Sequence, residues 1–512
     1  MGLLAAWMET VPGYMDAEYY YGNALRLVDG KGWTETILWN YLDNPAGIPH
    51  PAHIYWMPLA SFLAVPGMFL LNTRHFYAAR LLMIFLAALI APLTALLSFR
   101  LFKSQKYAVL SGFLALFPGF YLVYTTDIET YTPYLLLGGL VLLIAFGRES
   151  NLKMRDVFLL GIVTGLMHLA RADGVLWLIG VTALILWMGA FNKAGSRNAF
   201  YWTAARVLML ALGYGVMMSP WFLRNFILFD NIFPPGTTRA LWLTRYNQLF
   251  SYPADQLTFQ SWAGSGWQSI GQVRLNAILE NLKTLLGVQG EVILLPFMLV
   301  GIYLMRHKRW VVFTALMWGV TLLVMSFIFP LAGSRGGYFH SGSAVQIFLW
   351  ILAPPGLDEF VRWGGRARNW KRAEAWNVFS AGLAVILAVM TISIYWQFVI
   401  GPDLNNPVWA AESRQAKQIE QKLLDLQIDK NETIMINNPP GYFTATDRAA
   451  IVIPDGSLQT SLEVAKRYQV KYLVLEKAHV DGLDLLYQNP QMAPQFHLLG
   501  QINDALIFRM GP

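Results

Sequence analysis

Cysteine is absent from all 512 residues, which excludes disulfides, thiolate metal sites and cysteine nucleophiles and leaves the compartment unreadable from redox chemistry. Charge is scarce too. Charged residues make up 13% of the chain against 55% hydrophobic, with a mean hydropathy of +0.41, far from the roughly 25% charged residues of an average soluble domain. That shortage predicts a polytopic membrane protein. A basic leader followed by a full apolar core is also missing from Met1 to Met8, so no cleavable signal peptide is expected. Gly2 to Trp7 reads instead as the tail of a transmembrane helix whose beginning is missing. Internal repeats and low-complexity tracts are lacking as well. The formal net charge of +7 does not argue for nucleic acid, because Lys and Arg cluster in short segments between apolar runs, and no nucleic-acid partner is expected.

What is present is a series of apolar runs near 20 residues long, the length that crosses a hydrocarbon core of about 30 Å. Spans are predicted at 78–99, 107–125, 131–147, 156–170, 174–191, 204–222, 290–305, 310–330, 343–361 and 376–399. Every second connection is basic: Arg100, Lys103 and Lys106; Arg148, Lys153 and Arg155; Lys193, Arg197 and Arg206; Arg306, Lys308 and Arg309; Arg362 to Arg372. The positive-inside rule makes these cytoplasmic. The predicted division is therefore an outer first loop with interfacial helices at 1–77, a transmembrane bundle at 78–400 carrying a long outer loop at 223–289, and an extracytoplasmic domain at 401–512. In that last part the polar helix 410–426 and the β-rich runs 433–437, 449–453 and 471–475 predict a small soluble α/β domain. The fold class expected is an α-helical polytopic membrane bundle with that domain appended.

The same parity places the polar chemistry on the outer face. Asp16 and Glu18 stand between an apolar start and Tyr19-Tyr20-Tyr21, where partial desolvation raises a carboxyl pKa and suits a general base. The competing reading is a pair of solvated loop charges. Asp127 and Glu129 either cap the helix beginning near Thr130 or face the first pair across a cavity mouth, orienting substrate or a divalent metal ion. His50 and His53 have a ligand-like spacing, but Pro49 and Pro51 interrupt a helix there and no third ligand follows. A packing or hydrogen-bonding role is expected for them, and no metal or cofactor is assigned. Arg171, Arg224, Arg335 and His340 form a cationic set at the outer boundary; singly each arginine snorkels, and together they suit a phosphate. Within Arg335 to Ser341 two glycines let backbone approach a ligand closely.

The run Pro12-Gly13-Tyr14-Met15-Asp16 followed by Glu18-Tyr19-Tyr20, with Asp127-Ile128-Glu129, Arg171-Ala172-Asp173, Pro220 to Asn225 and Arg335 to His340 in order after it, resembles the GT-C superfamily of polytopic glycosyltransferases. That group includes protein mannosyltransferases and lipid A aminoarabinose transferases. The resemblance implies a polyprenyl-phosphate-linked sugar donor, a lipid, glycan or protein acceptor, membrane lipids as surroundings, and a multi-pass plasma or inner membrane location with the active site outside. It implies Asp16, Asp127 and Glu18 as catalytic residues, with Glu129, Arg171, Arg224, Arg335, His340, His53 and Tyr20 on substrate. Where the family often has adjacent Asp-Glu this chain has Asp16-Ala17-Glu18, and the Trp-Trp-Asp motif of oligosaccharyltransferases is absent from 401–512. Attack by one activated acceptor would invert the anomeric carbon. The alternative class is a polytopic lipid or glycan transporter or flippase, against which stand the outer-loop position of the acids and the absence of paired halves.

Overall fold

A computed structural model describes residues 2–147, 152–190 and 197–511; Arg148 and Lys193 of the predicted basic connections lie outside them. Among the described residues, six helices are long and apolar enough to cross a membrane: Leu81–Phe102, Ala172–Gly189, Ala199–Phe229, Arg309–Ile328, Pro330–Arg368 and Arg372–Ile400. Shorter apolar helices at Leu59–Leu71, Tyr131–Phe146 and Leu295–Met305 fill in around them. Pro330–Arg368 runs through the middle of the bundle, and its residues from Gln346 to Leu357 are buried. The peripheral helices instead expose large apolar side chains such as Leu208, Ile227, Val378 and Val385. Exposed apolar surface on that scale is the mark of a lipid-facing wall.

Between such helices the hydrophobic effect offers little, so packing depends on close backbone approach. Gly301 on Leu295–Met305 lies against the Leu352 carbonyl, and Gly356 on Gln346–Arg368 lies against the Phe297 carbonyl, so any Cβ at either would strike backbone. Gly356→Val is expected to cost ~1–3 kcal/mol through this overpacking, read as a lowered Tm in detergent; an unchanged Tm would show that the two helices are free to part.

The predicted basic connections gather at one end. Asp358 accepts from Lys106 Nζ (3.0 Å), Arg362 Nη2 (3.0 Å), Arg372 Nη2 (2.8 Å) and Tyr107 Oη (2.9 Å). Arg206 reaches the Leu152 carbonyl at 2.9 Å, and Arg309 lies over the Trp187 ring.

The first loop is more regular than its turn residues predict. After α1 (Gly2–Met8) comes α2 (Met15–Val28), which carries Asp16 and Glu18 in its first turn, where the helix dipole favours negative charge. Two short strands follow, β1 (Thr34–Glu35) and β2 (Ile37–Leu38), then β3 (His50–Pro51), antiparallel to β1, and helix α3 (Leu59–Leu71). The C-terminal part contributes β4 (Ile434–Ile436), β5 (Ala450–Val452), β6 (Tyr472–Leu475), β7 (Phe496–Ile502) and β8 (Ala505–Met510). They form a six-stranded sheet in the order β2-β5-β4-β6-β8-β7, so one edge strand comes from the first loop. The Tyr41 hydroxyl donates to Val452 O (2.5 Å), Tyr468 to Pro45 O (2.9 Å), and Trp409 Nε1 to Val11 O (2.9 Å). The C-terminal domain is thus stitched to the first loop at several points, and its own centre is held by buried Arg448, bidentate to Glu420 at 2.8 and 2.9 Å.

Candidate active site

Asp16, Glu129 and His340 converge at one end of the bundle. His340 Nδ1 is 3.1 Å from Glu129 Oε1 and its Nε2 is 4.0 Å from Asp16 Oδ2. Each comes from a different element: Asp16 from the start of α2, Glu129 from the turn before helix Tyr131–Phe146, His340 from the segment Tyr338–Gly342. Glu129 also caps its helix, accepting from the Tyr131 N–H at 2.5 Å, so the capping and the site readings of this residue hold together. The break ahead of His340 has a local cause. Arg335 (φ −107°, ψ 40°) and Gly336 (φ +106°) leave helical geometry, and only glycine takes the second without strain.

Arg171 orders this end. Its Nε donates to Asp173 at 2.9 Å, and its Nη2 donates to the Gly337 carbonyl at 3.4 Å and to Ser341 Oγ at 3.3 Å. It therefore clamps the segment that carries His340. Asp16 keeps 31% of its side chain exposed, which leaves it open to a ligand. Burial, partly offset by His340 and reinforced by Glu129, pushes its carboxyl up to about 6, and burial raises Glu129 too. Such a carboxylate is a usable base near neutral pH. Asp16, Glu129 and His340 also present one ligand atom each within 4.8 Å of one another, a group able to hold a metal ion.

The remaining predicted residues separate. Glu18 is two positions along α2 from Asp16, about 200° around the helix, and faces away. It is buried, and its carboxylate accepts from Asn438 Nδ2 at 2.9 Å. Asp127 likewise turns from the cluster; it is fully buried near Glu9 and Arg80, with Oδ1 accepting from the Ile128 N–H at 2.7 Å. The catalytic assignment of these two therefore meets a geometry in which neither joins Asp16 and His340, and Glu129 supplies the second carboxylate there. Arg335 is exposed, packs over the Tyr246 ring at 4.0 Å and has no carboxylate partner among the described residues. Arg224 donates to the Ala52 carbonyl at 2.5 Å and lies over Trp221. His53 sits beside it in left-handed backbone (φ 61°), its ring among Tyr19, Tyr20 and Trp221 and its Nε2 unpartnered. Tyr20 is buried near Glu129 and Asp16 on one side and His53 on the other, linking the two groups.

His50 belongs elsewhere. Its Nδ1 and Nε2 contact Glu35 at 3.3 Å and Asp43 at 2.9 Å. Burial disfavours its charge, but those two carboxylates outweigh it and push the imidazole up to about 9. The unfolded value is about 6.5, so the folded state binds the proton more tightly. The stabilisation is complete below about pH 6.5 and is lost as pH rises through the folded value. His50→Gln is expected to flatten the fall of Tm across that window, an effect on the order of 2 kcal/mol; an equal slope in both proteins would count against the ion-pair account.

Sequence reasoning missed Glu9 and the role of Arg80. Both are fully buried, 3.1 Å apart. The available sign was a lone arginine inside Phe76 to Phe85, an otherwise apolar run, which demands a buried anion from elsewhere.

No family model matches the chain and no curated protein matches it by sequence. Solved structures do match in fold. ArnT from Cupriavidus metallidurans, bound to undecaprenyl phosphate, superposes with a TM-score of 0.52 at 13% identity, over 100% of this chain and 98% of that one. The oligosaccharyltransferase of Archaeoglobus fulgidus, in complex with Zn and sulfate, gives 0.51 at 13% identity, over 92% of this chain and 67% of that one. The same enzyme tethered to an acceptor peptide gives 0.50 at 12% identity, over 93% and 68%. These chains share one membrane fold with the protein described above.

Proposed function

We propose that this chain, which has the GT-C fold, transfers a sugar from a polyprenyl-phosphate donor to an acceptor hydroxyl on the extracytoplasmic face of a plasma or inner membrane. The observation that carries the reading is the meeting of Asp16, Glu129 and His340 beside Arg171 in a fold that elsewhere holds undecaprenyl phosphate. Asp16 takes the acceptor proton while the acceptor oxygen bonds to the anomeric carbon and the bond from that carbon to the phosphate oxygen breaks. The pair of electrons leaves with the polyprenyl phosphate, and the configuration inverts. Arg335, exposed and without a carboxylate partner among the described residues, suits the departing phosphate, whose oxygens match a guanidinium fork. His340 and Glu129 hold the base in place. A divalent ion fits the same two oxygens and one nitrogen and, when bound, would polarise the acceptor oxygen.

The test is a comparison of lipid extracts and glycans by mass spectrometry from cells with and without the protein, followed by transfer from the identified lipid-linked sugar by the purified chain. A lipid-linked sugar that accumulates in the absence of the protein supports the reading. Uptake of labelled lipid into sealed vesicles with no sugar transfer would replace it with transport.

A further inference from the structure

The segment that carries His340, Tyr338–Gly342, is gripped from a distant part of the chain, at the end of the second long loop. Gln289 is fully buried there and touches both ends of the segment. At one end its Oε1 accepts from Tyr338 Oη at 3.1 Å, and its Nε2 donates to the Tyr338 carbonyl at 3.5 Å. At the other end Gly342 lies flat against the same amide, so that a Cβ on it would stand 1.7 Å from Gln289 Nε2. His340 is midway between the two contacts. Trp318 Nε1 donates to the same Gln289 oxygen at 2.5 Å, which fixes the orientation of the amide.

The backbone holds Gln289 in place in turn. It closes the π-helical turn Leu285–Gln289, a widened turn of the kind that recurs at functional sites, and its carbonyl accepts from Gln346 Nε2 at 3.0 Å. Two residues further on, Glu291 (φ +45°) and Val292 (φ +50°) both take left-handed backbone. That conformation is costly for a β-branched side chain and persists only where the surroundings over-determine it. Here Trp350 Nε1 donates to Glu291 Oε1 at 2.6 Å. Gln346 and Trp350 belong to the buried central helix, so Gln289 meets the His340 segment from the middle of the bundle.

We propose that Gln289 is a positioning residue, which acts through Tyr338 and Gly342 to hold the His340 imidazole beside Glu129 and Asp16. Its consequence for turnover rests on the transfer reading above; its hold on His340 does not.

The test reads His340 directly. The full chain in detergent, with EDTA present, is treated with diethyl pyrocarbonate, and the labelling rate of each histidine is followed by peptide mass spectrometry. Gln289→Leu and Tyr338→Phe are expected to speed the labelling of His340 by about five-fold, the change in local opening when a buried hydrogen bond is lost. His50, His53 and His168, which are as deeply buried, are internal references and should label at wild-type rates. Tyr338→Phe deletes a single oxygen atom and carries the test even where Gln289→Leu does not fold. In sugar transfer both variants should lower kcat by roughly ten- to a hundred-fold while the KM for the lipid-linked donor is kept. Labelling of His340 at the wild-type rate in these variants, or a rise shared by all four histidines, overturns the proposal. The expected labelling in a chain that transfers no sugar would overturn the transfer reading and support the hold on His340.

Discussion

Asp16→Asn is expected to lower sugar transfer by a factor on the order of 10²–10⁴, the usual contribution of a positioned general base, with donor binding largely retained. Asparagine keeps the shape and the neutral hydrogen-bonding capacity of the site but cannot accept the acceptor's proton. Asp16 is the right residue to carry an effect of this size because, among the described acids of the first loop, it is the one that is both partly exposed and within 4.0 Å of His340. Its pH signature is equally specific. With the carboxyl pushed up to about 6 by burial and Glu129, against the pull of His340 and Arg171, the ionised base fills in as pH rises. The rate should climb through about pH 6 and level off above it, and Asp16→Asn should have no such step in its residual rate. Full turnover by the Asn variant, or the same step surviving in it, would remove Asp16 from the role of base. Glu18→Gln provides the contrast: the carboxyl faces Asn438, so transfer should be affected far less than by Asp16→Asn.

Arg80→Met should be the most damaging single change to stability, by ~3–5 kcal/mol. Arg80 and Glu9 are both fully buried, and the guanidinium lies against the Phe76 and Tyr77 rings. Asp127 stands close by with its Oδ2 unpartnered. One guanidinium thus serves two buried carboxyls. Burial raises the pKa of both, taking Glu9 to about 8, and in each case the Arg80 guanidinium opposes the rise. Without Arg80, any charge left there has no partner in a medium that solvates it poorly. Arg80→Met/Glu9→Met should regain much of the loss, since well-packed apolar pairs replace buried ion pairs at little cost. Thermal unfolding in detergent separates the cases, and a single Arg80 variant melting with the wild type would refute the account. Next to Asp127, Thr126 donates to Glu9 Oε2 at 3.2 Å, which ties the loop ahead of Tyr131 to the start of the chain and so helps to hold Glu129 in place.

Reading the chain one residue at a time recovered the outer acids but not their pairing. Asp16 and Glu18, like Asp127 and Glu129, differ by two positions, and in each pair the two side chains leave the backbone in nearly opposite directions. Local spacing gives both members the same expectation. Which one meets His340 depends on the rotation of α2 and of the turn before Tyr131, and that rotation is set by packing against elements hundreds of residues away, such as Asn438 on Glu18 and Arg80 beside Asp127. His50 was equally illegible, because its partners Glu35 and Asp43 belong to a loop whose path is fixed by the C-terminal sheet.

The sequence by itself determined the membrane bundle, the end at which its basic connections gather, and the α/β character of the last hundred or so residues. These follow from solvation and periodicity, which act on each segment separately: a long apolar run must leave water wherever the rest of the chain goes. Only the tertiary structure decided that β2 of the first loop joins the C-terminal sheet, that Glu129 rather than Asp127 stands with Asp16, and that Glu18 turns to Asn438. Those outcomes rest on contacts between distant segments, and two carboxylates of the same chemistry are told apart only by which neighbour each one meets.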